Sequence, residues 1–320
     1  MLLAAPAAVI AAFALYQAGG RYAWPDLSLR QPAEEVRLES SGPGWRVAVI
    51  GDPQGGDAIY TAGLRDMTER GLDAVIFMGD MVTAPSAAKL AQFVARVGRV
   101  PGHPRIFCLP GNHDEDRQTG LANYAKFFGR PYYSVRLGPS LFLLLNNSTE
   151  QLDHAQRRWL VGQLEAAAAG RLEVYLCMHI PPRGCGVRKD QLAPESSKFL
   201  ELAIRTHPVV RLIFAGHLHG YAEGSFAGVP VYVSGGGGGR LEGPKEEHHY
   251  LLLESAAPEL PRVSRVRIAP PSAAAMRKER FLYYLETRPD YVYWLAAAAG
   301  GAPLAWALWR RRRARPGEAA

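Results

Sequence analysis

A chain of 320 residues is long enough to bury one large core or two small ones, which excludes a mini-domain dependent on cross-links. Its formal charge of +7 invites a nucleic-acid reading until the charges are located: Arg310, Arg311, Arg312, Arg313 and Arg315 stand together at one end. The body is then only slightly basic, and no nucleic-acid groove is inferred. Three cysteines, Cys108, Cys177 and Cys185, exclude a disulfide framework, and the first two lie in apolar runs where cysteine is a small core residue.

In chain order, Met1 to Tyr16 is apolar, and polar punctuation starts at Gln17. The length falls between a signal-peptide core and a short span, so residues 1–20 are expected to be a signal peptide or an N-terminal membrane anchor. Residues 21–44, rich in Pro, Ser and charge, read as a linker. From Arg46 apolar strand candidates alternate with helical patterns. The strands are Val47 to Ile50, Ala74 to Met78, Arg105 to Leu109, Leu141 to Leu145, Val174 to Met178 and Val209 to Phe214. The helices are Ala58 to Arg70, Ala87 to Val97, Gly120 to Phe128, His154 to Ala168 and Ser196 to Thr206. Near-continuous apolar strands between helices predict an α/β domain, spanning 45–270, whose sheets are covered on both faces. After Gly228 come Val229 to Ser234, Tyr250 to Glu254 and Arg262 to Ile268, with no helix between them. They are expected to close the same domain or form a second sheet. Gly235 to Gly239 reads as a flexible loop, and His103, His154, His207, His248 and His249 as surface residues.

Residues 271–290 form a second linker. Tyr291 to Trp309 are uncharged, with aromatics at both ends and arginines directly after, the pattern of a transmembrane helix. Arginine clusters beside a span stay in the cytoplasm, so residues 310–320 are expected there and the preceding domain outside it, periplasmic or extracellular. Arg21, Arg30, Arg277, Lys278, Arg280 and Arg288 oppose this, but they are sparser and farther from the spans.

The strand ends carry the chemistry. Val47–Ile50 runs into Asp52 and Gln54, Ala74–Met78 into Gly79-Asp80, and Arg105–Leu109 into Asn112-His113-Asp114. Val174–Met178 runs into His179, and Val209–Phe214 into His217-Leu218-His219. In α/β folds the carboxyl ends of strands converge on one crevice, whereas a pure packing account scatters Asp and His over both ends. Two carboxylates, an asparagine oxygen and three imidazoles suit Mn, Fe, Zn or Co, and the set is too large for one ion. Glycines at 51, 79, 111 and 216 each precede a candidate ligand and permit tight turns.

In the order Asp52-Pro53-Gln54, Gly79-Asp80, Gly111-Asn112-His113-Asp114, His179 and Gly216-His217-Leu218-His219, the chain resembles the calcineurin-like metallophosphoesterases. The resemblance covers roughly Arg46 to Ile268. It implies an αββα sandwich, two sheets flanked by helices, and a metal-dependent hydrolase of phosphate esters or pyrophosphates. It implies two ions, one on Asp52, Gln54, Asp80 and His219, the other on Asp80, Asn112, His179 and His217. It also implies that His113 hydrogen-bonds the phosphate or protonates the leaving oxygen, with Asp114 orienting it. Gln54 stands where the usual pattern has His, which resembles the Asp-x-Gln branches of the family. The arginines after His179, Arg183 and Arg188, are candidate phosphate contacts or solvated loop residues. A catalytically weak membrane-bound scaffold that keeps the fold is the rival expectation.

Overall fold

The computed structural model describes residues 29–274 and 277, except 32, 41–43, 188–190, 244–245, 257–258 and 270. Both expected membrane segments, and Arg188, lie outside the described residues. No helix among the described residues is long and apolar enough to cross a membrane. Leu27–Pro271 forms one compact unit.

Two sheets form the middle of this unit. The smaller contains β2 (Arg46–Ile50), β3 (Ala74–Phe77), β4 (Arg105–Cys108), β11 (His249–Ala256) and β12 (Glu259–Arg267), in the order β12-β11-β2-β3-β4. The larger contains β1 (Glu35–Leu38), β5 (Tyr133–Leu137), β6 (Ser140–Leu144), β7 (Glu173–Met178), β8 (Val210–Ala215), β9 (Tyr221–Phe226) and β10 (Val229–Ser234). Its order is β1-β5-β6-β7-β8-β10-β9. The helices are α1 (Asp57–Glu69), α2 (Ala87–Gly98), α3 (Ala122–Phe128), α4 (His154–Ala169) and α5 (Pro194–Thr206).

Strand alternation sorts the side chains into three cores. Successive side chains point to opposite faces, so Val47 and Val49 of β2 enter the layer between the sheets while Ala48 and Ile50 meet α1, α2 and α3. In β7, Tyr175 and Cys177 face the other sheet and Leu176 and Met178 face α4 and α5. Both faces of these strands, β2 and β7, are therefore buried, which is why they read as unbroken apolar runs. Trp45 anchors the layer between the sheets: its ring lies edge-on to Phe142 and Tyr175, and its Nε1 donates to Ser140 Oγ at 2.8 Å. Two of the helices begin at capping residues, Ser86 for α2 and Asp153 for α4, the latter accepting from Gln156 N at 2.8 Å. Such caps contribute typically ~1 kcal/mol.

β2, β3 and β4 run parallel, as do β6, β7 and β8. Their carboxyl ends therefore emerge on one side of each sheet.

Four expectations are corrected. Glu35–Leu38, inside the stretch read as a linker, is a strand paired in parallel with β5. β5 and β9 lie where no strand was expected. Gly235 to Gly239 is not a loose loop: four of its residues are buried, with Gly237 N donating to Gly51 O and Gly239 N to Asp52 O, each at 2.8 Å. His249 is buried, 2% exposed, with Nδ1 2.7 Å from Glu247 O and its ring edge-on to Tyr221.

Candidate metal centre

The loops after β2, β3 and β8 are held in conformations that side chains rarely adopt. Asp52 (φ 58°), Gln54 (φ 33°), Asp80 (φ 55°) and His217 (φ 70°) are all left-handed. Each such residue costs on the order of 1–3 kcal/mol and persists only where its surroundings over-determine it. Here the loops brace one another: Asp52 N donates to Gly79 O at 3.2 Å, Gln54 N to Asp80 O at 3.0 Å and Gly216 N to His179 O at 2.9 Å. Gly79 (φ 88°) is required twice over, because a Cβ there would stand 2.7 Å from both Gly111 N and His179 Nδ1.

The candidate residues form a graded site. Asp52, Asp80 and His179 make a buried floor, Gln54, His217 and His219 a half-buried wall, and Asn112 and His113 an exposed rim. Asp52, Asp80 and His179 each offer a ligand atom within 4.8 Å of the others.

Hydrogen bonding sets the ring tautomers. His179 Nδ1 lies 2.8 Å from Met78 O, and a carbonyl only accepts, so the proton sits on Nδ1 and the Nε2 lone pair faces inward. That nitrogen is 3.0 Å from Asn112 Oδ1, 3.2 Å from His217 Nδ1 and 3.4 Å from Asp80 Oδ1. His219 Nδ1 likewise donates to Arg240 O at 2.8 Å and turns Nε2 toward Asp52 Oδ1 at 3.4 Å. Asp52 Oδ1 is buried and accepts no hydrogen bond, while Oδ2 takes the His217 N–H at 2.9 Å. Acceptors brought together in this way repel unless a cation or proton stands among them, and this mixed oxygen and imidazole set fits transition-metal ions.

The electrostatics agree. Burial pushes the Asp52 carboxyl up, but contacts with His219, His179 and the His217 N–H outweigh it and hold the carboxyl below its usual range. Burial pushes His179 down, yet Asp80 and Asp52 outweigh that and raise it, so the ring readily holds positive charge.

Two residues behave differently from expectation. Gln54 donates its amide Nε2 to Asp80 Oδ2 at 2.6 Å, so ligation through its oxygen requires a turn about the terminal bond. Asp114 binds backbone: its carboxylate accepts from Gly111 N at 2.9 Å, Met81 N at 3.3 Å and Val82 N at 3.4 Å. Among the described contacts it braces the Asp80 and Asn112 loops, while the His113 ring places Nδ1 3.2 Å from Thr83 O. Burial, then the nearby Asp80 charge, pushes Asp114 up to about 8, partly offset by the Gly111 N–H. His113 donates its backbone N–H to Asp80 Oδ1 at 2.8 Å. Arg183 is exposed, with Nε 3.2 Å from Leu192 O.

Sequence reasoning missed Asn147, which is fully buried beside His179. The signal was present, since Asn146-Asn147 follows the apolar run of β6 as the other site residues follow theirs.

The calcineurin-like phosphoesterase family matches residues 46–221. No curated protein sequence matches. Among solved structures, a purple acid phosphatase from yellow lupin (Lupinus luteus) aligns with a TM-score of 0.55 at 16% identity, covering 68% of this chain. The chain spans only 50% of that enzyme's length. A dimetal phosphatase from Danio rerio aligns with a TM-score of 0.55 at 15% identity, over 72% of this chain and 100% of that one. GAP50 of Plasmodium, described as the anchor in the inner membrane complex, aligns at 0.50 with 11% identity, over 74% and 94%. These structures share the fold; the residues matched in sequence make this chain a member of the calcineurin-like phosphoesterase family.

Proposed function

We propose that the protein is a membrane-anchored, binuclear metal-dependent phosphoesterase that hydrolyses a phosphomonoester, phosphodiester or pyrophosphate bond. The observation that carries this reading is the inward-facing His179 Nε2, within 3.4 Å of Asp80 Oδ1, Asn112 Oδ1 and His217 Nδ1 at the strand ends of two sheets. Asp52, Gln54, Asp80 and His219 would hold one ion and Asp80, Asn112, His179 and His217 the other, with Asp80 shared. Such ions acidify water and neutralise phosphoryl oxygens. The remaining chemistry belongs to the chain. Thr83 O accepts from the His113 ring at Nδ1, which leaves Nε2 on the exposed rim; only as the doubly protonated imidazolium does the ring carry an Nε2 proton to give to the leaving oxygen, keeping its Nδ1–H on Thr83 O. The buried floor keeps the ligands rigid, and the rim leaves phosphate access from solvent.

A screen of phosphomonoesters, phosphodiesters, nucleoside diphosphate-sugars and phosphoprotein, with Mn and Fe supplied, tests the reaction. Turnover of one class, lost on chelation, is expected; hydrolysis of none with metal bound contradicts it. That outcome would favour the scaffold reading, for which the fold shared with GAP50, the anchor in the inner membrane complex, is the motivating observation. The membrane part of the proposal rests on the uncharged stretch 291–309 and the arginines after it; on this reading the catalytic domain lies outside the cytoplasm.

A further inference from the structure

The turn after β6 makes contacts that the proposed reaction does not itself require. Asn147 is fully buried, and its side-chain amide takes up the backbone on both sides of one peptide unit. Oδ1 accepts from His179 N at 3.0 Å and from Ile180 N at 3.1 Å, while Nδ2 donates to Ile180 O at 2.7 Å. Those three groups would otherwise be buried and unpaired at the point where β7 stops, because the chain there leaves the ladder. The turn that carries Asn147 is itself fixed from two directions. Gln156 of α4 pairs with the Asn146 backbone, donating to its carbonyl and accepting from its N–H, each at 2.7 Å. Ser148 Oγ lies 2.8 Å from Asn146 Oδ1 and within hydrogen-bond distance of Glu115 Oε2, its single proton going to one of the two, and Glu115 follows directly on Asn112-His113-Asp114.

We infer that Asn147 is the positioning residue for His179, and that the Asn146–Ser148 turn couples the ligand loop of one sheet to that of the other. His179 alone among the proposed ligands follows its strand with no intervening residue, so small errors in the β7 end pass directly to its ring. Its Nδ1 is pinned to Met78 O of the smaller sheet and its backbone to Asn147 of the larger one. Two attachments on opposite sides of Cα define where Nε2 points. Without Asn147 the ring keeps its bond to Met78 O and the His179 carbonyl its bond from Gly216 N, but the His179 and Ile180 N–H groups lose their partner, so the β7 end and with it Nε2 is held less firmly relative to Asn112 and Asp80. Partners that orient a ligand in this way are typically worth about 10- to 100-fold in metal affinity.

The inference rests on the metal-centre reading, and Mn binding by calorimetry on the purified full chain separates the two. Asn147→Ala is expected to weaken Mn binding about 10- to 100-fold and to shrink the rise in melting temperature that Mn produces. Asn147→Asp keeps the one oxygen that accepts from the His179 and Ile180 N–H groups and loses only the donor to Ile180 O, so it is expected to lose less Mn affinity than the truncation. If Asn147→Ala does not fold, Asn147→Ser replaces it, with the same expected loss, because its hydroxyl is too short to span to Ile180. A folded truncation variant that binds Mn as the native chain does overturns the positioning role, as does Asn147→Asp falling as far as the truncation. A native chain that binds no Mn overturns the metal-centre reading instead.

Discussion

His179 concentrates the design of the site in one side chain. A fully buried imidazole is normally kept neutral, yet two buried carboxylates raise it, and its hydrogen bond to Met78 O aims the other nitrogen at two acceptor oxygens, on Asn112 and Asp80, and at the His217 ring. The arrangement is poor as a free-standing hydrogen-bond network and good as a cage for cations. His113 sits differently, exposed on the rim and tied to the cage only through its backbone N–H. His113→Ala should therefore lower turnover by about 10²- to 10⁴-fold, the usual contribution of a general acid, with metal content unchanged. Loss of metal from that variant, measured by elemental analysis, would make His113 a ligand. Gln54 presents its amide hydrogen to Asp80 Oδ2. Replacing it with His should tighten metal binding if residue 54 coordinates, and an unchanged Mn affinity would leave Gln54 as a hydrogen-bond donor alone.

At the scale of elements, the site depends on loops packed so closely that some positions admit no side chain. Gly79 combines a φ of 88° with backbone and ring atoms 2.7 Å from any added Cβ. Gly79→Ala is expected to cost on the order of 1–3 kcal/mol and to displace both Gly111 and His179, so denaturant stability and metal affinity should fall together. Native affinity in a folded Gly79→Ala chain contradicts this packing account. β11 makes a separate, pH-dependent contribution. Burial holds His249, at the start of β11, below the usual 6.5, so the folded chain keeps the ring neutral while the unfolded chain takes up a proton below that pH. The unfolded state then binds more protons, so this ring's contribution to stability falls as pH drops through about 6.5. His249→Phe should reduce the stability difference between pH 7.5 and 5.5; an identical pH dependence in urea melts refutes it.

The elements most legible in the sequence are those buried on both faces, although β10, β11 and the partly exposed edge strand β12 were expected too. β2, β3, β4, β6, β7 and β8 carry continuous apolar runs, and all five helices carry an apolar stripe, so each lies within two residues of its expected bounds. β1 and β9 are edge strands with polar residues, Glu-Val-Arg-Leu and Tyr-Ala-Glu-Gly-Ser-Phe, and β5 alternates polar and apolar beside a two-residue hairpin. Edge pairing stabilises such segments through backbone bonds that leave little mark on composition. The candidate residues were legible because each follows an apolar run. The roles of Asp114 and Gly235 to Gly239 were not, since contacts between sequence-distant backbones decide them.

For the whole molecule, the Leu27–Pro271 unit is a sandwich whose two sheets each contribute part of one centre: Asp52, Asp80 and Asn112 from one, His179, His217 and His219 from the other. The membrane topology proposed from the sequence makes a separate prediction. A reporter fused after Ser272 that is active only after export should be active, and fluorescence from one that folds only in the cytoplasm would reverse the orientation. The central claim is that the two halves jointly hold metal around Asp80, which touches Gln54, His113 and His179. Elemental analysis of the purified full chain, native beside Asp80→Asn, tests it most directly. The native chain should carry about two transition-metal ions, and the variant, still folded, should lose most of both; a metal-free native protein, or a variant with undiminished metal, contradicts the account.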